Sequence, residues 1–179
     1  MSQSPDLNAV MEACRTFPGQ FQSLHLATCN AKGEPEASYE AYVEYDGCYY
    51  IYTSELSAHT ANLATSGRCS VLFIESEAQA KHLFARRRLT LQCSATEIHR
   101  ESPDFERLMD QFVEKFGHFM ELIRKLTDFH LYQLRPLSGG YVAGFAQAYT
   151  LEGEALTQLN TIFSIFMFKY TDLILKSGW

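Results

Sequence analysis

The chain has 179 residues, of which 46% are hydrophobic, 20% charged and 13% aromatic, and its formal net charge is -6. This length supports one domain with a substantial core and leaves little for a second. Fifteen basic against 21 acidic residues exclude a protein that neutralises nucleic-acid phosphates over a broad surface, so any bound anion must be small and locally held.

Residues from about Leu7 to Cys14 read as a short helix ended by Pro18-Gly19. "SLHLATC" then alternates Leu24, Leu26 and Thr28 against Ser23, His25 and Ala27, and it runs into a turn at "NAKGEP". "EASYEAYVEY" alternates Ala37, Tyr39, Ala41, Val43 and Tyr45 against Glu36, Ser38, Glu40, Tyr42 and Glu44, as in a half-buried strand with one wet face. Asp46-Gly47 follows at once. That pair suits a two-residue type I′ turn, whose central positions both need positive φ, so "CYYIYT" is its antiparallel partner.

"SAHTANLATSG" reads as a helix of about two turns, with Ser57 as N-cap and Gly67 as its stop. "CSVLFIE" is a strand, and after "SEAQAKH" comes "FARRRLTLQC". Strand alternation sets Leu89, Leu91, Cys93 and Ala95 on one face and Arg86, Arg88, Thr90, Gln92 and Ser94 on the other, with Arg87 opposed to its neighbours. The clearest helix begins at Pro103 behind Ser102 and can split at Gly117. "DFHLYQLRP" and "GGYVAGFAQAYTL" are the last two strands, followed by a terminal segment from Glu152. Six or seven strands with one helical insertion describe a mainly β, small antiparallel barrel with helices at its rim.

Five cysteines without a CxxC pair suggest buried free thiols in a reducing compartment, and neither a disulfide framework nor a zinc site. The N-terminus lacks a basic segment followed by an apolar run, which points to a cytoplasmic protein. The C-terminal "TIFSIFMFKYTDLIL" is apolar, yet Lys169 and Asp172 interrupt it too soon for a membrane span.

Three segments could carry chemistry. Arginine grips phosphate or carboxylate in a fork, so Arg86 and Arg88 are candidate anion ligands, and Arg87 is better read as a surface charge. Ser54 to Ser57 and the helix start behind them offer hydroxyls and backbone N–H groups to an anion, with His59 and Asn62 on one helix face. An ordinary capped helix with a surface histidine is the simpler reading of that segment alone. Asp128 is a turn or cap residue on the same ground, and His130 alternates with it.

In order, "SLHLATCNAKGEPEASYEAYV", "SAHTANL", "AKHLFARRRLTL", "DFHLYQL" and "GGYVAGFAQAY" resemble the HugZ/HutZ haem-utilisation proteins, within the FMN-binding split barrels that include the pyridoxamine phosphate oxidases. The resemblance implies a six-stranded antiparallel split β-barrel with peripheral helices that forms a homodimer, with ligand sites in grooves between the subunits. It further implies haem binding and oxidative opening of the haem ring, with an external electron donor. His59 and Arg88 match residues expected near the haem or flavin. Asp128 matches the carboxylate that supports the iron-ligating histidine, a partner that fixes the imidazole and strengthens its donation to iron. The family's ligating histidine lies in a C-terminal tail, whereas no histidine follows His130 here. Three accounts stand: another residue ligates the iron, this member binds flavin or nothing, or the C-terminal segment is not the ancestral one, as after an altered reading frame; a tail that packs Ile162, Phe163, Phe166 and Met167 on a partner subunit is the simpler reading.

The expected organisation is an N-terminal helical segment over 1–20, a split barrel over 21–156 with a helical insertion near 103–126, and an apolar tail over 157–179. Two enzymatic readings follow, a haem-degrading protein or an FMN-dependent oxidoreductase with its phosphate held by Arg86 or Arg88 and the Ser54–Ser57 segment. A non-catalytic haem or flavin carrier is the third.

Overall fold

A computed structural model describes residues 6–162; most of the apolar tail, including Phe163, Phe166 and Met167, lies outside the described residues. Eight strands form one sheet: β1 (Ser23–Cys29), β2 (Pro35–Tyr45), β3 (Cys48–Ser54), β4 (Arg68–Ile74), β5 (Arg88–Ile98), β6 (Phe129–Gly144), β7 (Gln147–Glu152) and β8 (Gln158–Thr161). Their order is β3-β2-β1-β4-β5-β6-β7-β8, all neighbours antiparallel, and a β3–β6 pairing closes the first six into a barrel.

The long β6 makes the closure possible. One of its edges pairs with β5 from Leu131 to Val142, while the other takes β3 along Phe129–Leu134 and β7 along Gly139–Gly144. The sequence signals at Pro136 and Gly139-Gly140 predict a break between two strands. Instead the chain continues through a bulge, where β5 residues Gln92 and Cys93 face Ser138 and Pro136. The extra residue, Leu137, changes which face the alternation presents, so Tyr132, Leu134 and Tyr141 all enter the core. Gly139 belongs to the strand because a Cβ there would meet the Thr90 carbonyl and the Leu91 side chain, each at 2.9 Å. The turn lies later, at the β6–β7 hairpin, where Ala146 takes a positive φ of 59°.

The barrel interior holds Leu24, Leu26, Tyr42, Ile51, Val71, Phe73, Leu89, Leu91, Leu134 and Tyr141. Helix α1 (Leu7–Thr16), capped by Asp6, closes one barrel end with Cys14 and Phe17, and the Tyr42 hydroxyl donates to the Pro18 carbonyl at 2.6 Å. Helix α2 (Ala58–Ser66) closes the other end, terminated by Gly67 at φ 62°. Ser57 occupies the N-cap position, but its side chain makes no capping bond. Helices α3 (Pro103–Phe116) and α4 (His118–Ile123), split at Gly117 as expected, pack Phe105, Leu108, Met109 and Phe112 against the outer side of Val43, Tyr50, Tyr52 and Leu131. Asp46 and Gly47 have φ of 50° and 68°, the two positive values that a type I′ turn requires.

The β2 strand reverses the polarity that its sequence suggests. Ala37, Tyr39 and Ala41 face out, with Tyr39 71% exposed, whereas Glu36, Ser38 and Glu40 are half-buried. All five cysteines are free, and all but Cys29 are buried. Burial pushes the Cys14 thiol up to about 12, which leaves it inert as a nucleophile near neutrality.

Candidate functional site

The candidate residues fall at the two ends of the barrel. At the α2 end, His59 is buried, with Nε2 2.6 Å from the Thr53 hydroxyl and 2.9 Å from Glu40 Oε1. Thr53 also contacts the Thr60 hydroxyl at 2.9 Å, and Thr60 donates to the Ser54 carbonyl at 2.6 Å. Asn62 Nδ2 donates to Thr28 Oγ1 at 3.0 Å and to Glu36 Oε2 at 3.1 Å. The two residues that sequence places on one helix face are thus the donors that satisfy the inward carboxylates of β2. This explains the strand's reversed polarity, because carboxylates drawn half out of water need such partners.

The β3–β6 register sets Thr53 opposite His130, so both side chains leave the same sheet face. His130 bridges two carboxylates, Nδ1 to Glu97 at 2.7 Å and Nε2 to Glu55 at 2.9 Å. Asp128 sits in the turn before β6, and its carbonyl accepts the Glu55 N–H at 2.8 Å. His130 therefore ties the β3–α2 loop to the start of β6. A cleft of about 200 Å³ lies beside it, lined in part by Glu97, Arg100, Phe105 and Phe129.

The hydrogen bond to Glu97, then that to Glu55, raise the His130 pKa above its ordinary 6.5 against the opposing effect of burial. A raised folded value means that the ion pair's contribution to stability is complete below 6.5 and is lost as pH rises through the folded value. An NMR titration of the His130 ring should give a midpoint above 6.5, and Glu97→Gln should move it down. A midpoint at or below the ordinary value would mean that the carboxylates do not hold the proton.

The arginines lie at the opposite end of β5, separated from Glu97 by about 30 Å of strand at ~3.3 Å per residue. Strand alternation begins only at Arg88, so Arg86 and Arg87 are placed by other contacts. Arg86 donates from Nε (2.8 Å) and Nη2 to the Glu75 carbonyl, and Arg87 pairs with the Glu75 carboxylate at 2.9 Å while its guanidinium lies over the Phe17 ring. Arg88 donates through Nη1 to the Arg86 carbonyl at 3.2 Å and has no carboxylate partner among the described residues. Of the run, it alone is not paired with an acid. Leu83 and Phe84 precede it in a short 3-10 turn at 59% and 87% exposure. Phe145, 54% exposed, lies just beyond Val142, the β6 partner of Arg88.

Within one chain the structure thus brings Ser54, Ser57, His59, Asn62 and Asp128 to one end and Arg86 and Arg88 to the other. Sequence reasoning missed Glu36, Glu40, Glu55, Glu75 and Glu97. The alternation of Glu36 and Glu40 was visible, but only the position of α2 turns that face inward.

Residues 10–143 match the family model described as pyridoxamine 5'-phosphate oxidase. The chain is 36% identical over 142 residues to Heme oxygenase HutZ of Vibrio cholerae, covering 79% of this chain and 81% of that one. Among solved structures it is similar to Campylobacter jejuni ChuZ, with a TM-score of 0.80 and 31% identity, over 89% of this chain and 64% of ChuZ, just under two thirds of that protein's length. It is also similar to HutZ, the heme storage protein from V. cholerae, with a TM-score of 0.64 and 32% identity over 72% and 88% of the two chains. The closed six-stranded barrel and this similarity along most of its length make the chain a member of the pyridoxamine 5'-phosphate oxidase family, on its HutZ branch.

Proposed function

We propose that this protein binds haem in haem utilisation, at the barrel end that carries Arg88, Leu83, Phe84 and Phe145. The observation that carries the proposal is the 36% identity to Heme oxygenase HutZ across 79% of the chain. The rim suits the ligand. A haem edge carries two propionates and its faces are apolar, and here the exposed Leu83 and Phe84 lie shortly before Arg88 in the chain, whose guanidinium has no acidic partner among the described residues. Bound haem would bring a redox-active iron and the ring on which oxidation acts, while this chain would hold the acidic edge and keep water from the faces.

A second copy of the chain completes this reading. The outer face of β2, β1, β4 and β5 presents Ala37, Tyr39, Ala41, His25, Ala27, Ser70, Leu72, Thr90 and Gln92, none of them a lysine or an acid. Such a face favours contact between copies. Arg88 stands at its edge, so a partner packed there would turn the exposed rim into a groove, where His59 and Asp128 of one barrel end could approach Arg88 of the other chain.

Titration of the purified protein with ferric haem tests the proposal. A Soret band that saturates at a stoichiometric ratio is the expected result, and its absence would overturn the reading. Parallel addition of FMN addresses the flavin alternative, since a phosphate would also suit Arg88; saturable flavin binding without a haem response would favour the oxidoreductase. With haem bound, a reductant and oxygen distinguish the degrading protein, which would lose the Soret band, from a carrier, which would keep it.

A further inference from the structure

We infer that Glu75 is the positioning residue that sets the geometry of Arg88 for an anionic ligand edge, an inference that rests on the haem reading above. Beyond the Ile74–Arg88 pair, the next step of the β4–β5 ladder would join Glu75 to Arg87 through their backbones. Only half of that rung is present: the Glu75 N–H donates to the Arg87 carbonyl at 2.9 Å. The returning bond is missing, because the Glu75 carbonyl is occupied by the guanidinium of Arg86, through Nε and Nη2.

The Glu75 carboxylate supplies the missing acceptor. Its Oε2 takes the Arg87 N–H at 3.3 Å, and its Oε1 takes Arg87 Nε at 3.0 Å and Nη2 at 2.9 Å. One residue thus holds both arginines that precede Arg88, by backbone and side chain. The Glu75 side chain is 12% exposed, which shelters its end of these bonds from water, while the Arg87 side chain is 42% exposed. Glu77, which reaches Arg86 at 3.5 Å with 73% exposure, adds little.

The consequence for Arg88 is direct. Its Nη1 is oriented by the Arg86 carbonyl, and the orientation of that carbonyl follows from the clasp on Arg86 and Arg87. The clasp also closes the neck of the 76–86 excursion that displays Leu83 and Phe84. Loss of the Glu75 carboxylate would leave the cation in place chemically but free to turn away, and a misplaced guanidinium loses the fork geometry that a carboxylate requires.

A double-mutant cycle read by ferric haem affinity tests this. Glu75→Ala is expected to weaken binding by about tenfold when Arg88 is present and to have no further effect in an Arg88→Ala background. Glu75→Gln, which keeps one acceptor oxygen for Arg87, should show a smaller loss than Glu75→Ala and the same dependence on Arg88. An unchanged affinity in both Glu75 variants overturns the inference. So does an equal loss with and without Arg88, which would mark a general structural effect. Arg88→Ala binding haem like the wild type would instead overturn the placement of haem at Arg88, and the inference with it.

Discussion

Replacing His59 by alanine should lower the free energy of unfolding by about 2–4 kcal/mol, because removing one partner of a buried pair strands the other. The imidazole lies between the Thr53 hydroxyl and the Glu40 carboxylate, and no buried side-chain nitrogen or oxygen among the described residues lacks a partner. His59→Ala would leave Glu40 half-buried without this donor, facing a cavity into which water enters only in part. Urea unfolding of the apo-protein gives the measurement. The double variant His59→Ala/Glu40→Ala should recover part of the loss, since it removes the stranded charge as well. A His59→Ala protein as stable as wild type would show that the contact contributes nothing to stability.

The second large effect concerns affinity. Arg88→Ala should weaken ferric haem binding by about 10- to 100-fold, the range expected from losing one or two charge-assisted hydrogen bonds. Arg88→Lys should recover only part of this, because an ammonium supplies charge without the planar fork. Neither substitution should alter apo-protein stability much, since Arg88 pairs with no carboxylate among the described residues and its side chain donates only to the Arg86 carbonyl among them. Unchanged affinity in both variants would remove Arg88 from the site. A matched loss of thermal stability would instead assign it to the scaffold.

These expectations differ in kind for residues that look alike in sequence. Arg86, Arg87 and Arg88 are identical side chains in a row, but two are anchored to Glu75, just past the end of β4, and one donates only to the Arg86 carbonyl among the described residues. The Asp46-Gly47 turn, the inward Leu24–Leu26–Thr28 set and the α3 helix were legible because each depends on short-range geometry: positive φ, a period of two, and a period near four. The continuous β6 was not legible. Pro136 and the glycine pair signal a turn locally, and only pairing with β5, β3 and β7 outweighs that signal with ladder hydrogen bonds.

The sequence by itself determined the barrel class, the chain order of its elements as far as β5 and α3, and the residue types able to hold an acidic ligand, because hydrophobic period and turn chemistry act over a few residues. Tertiary structure alone decided that Glu36 and Glu40 face inward to His59 and Asn62, that His130 is held by Glu55 and Glu97, and that Arg88 rather than its neighbours is left without an acidic partner among the described residues. Each of these depends on which strand end meets which helix across the barrel. The physical reason is that a polar side chain's role is set by the partner that satisfies it, and those partners come from distant parts of the chain.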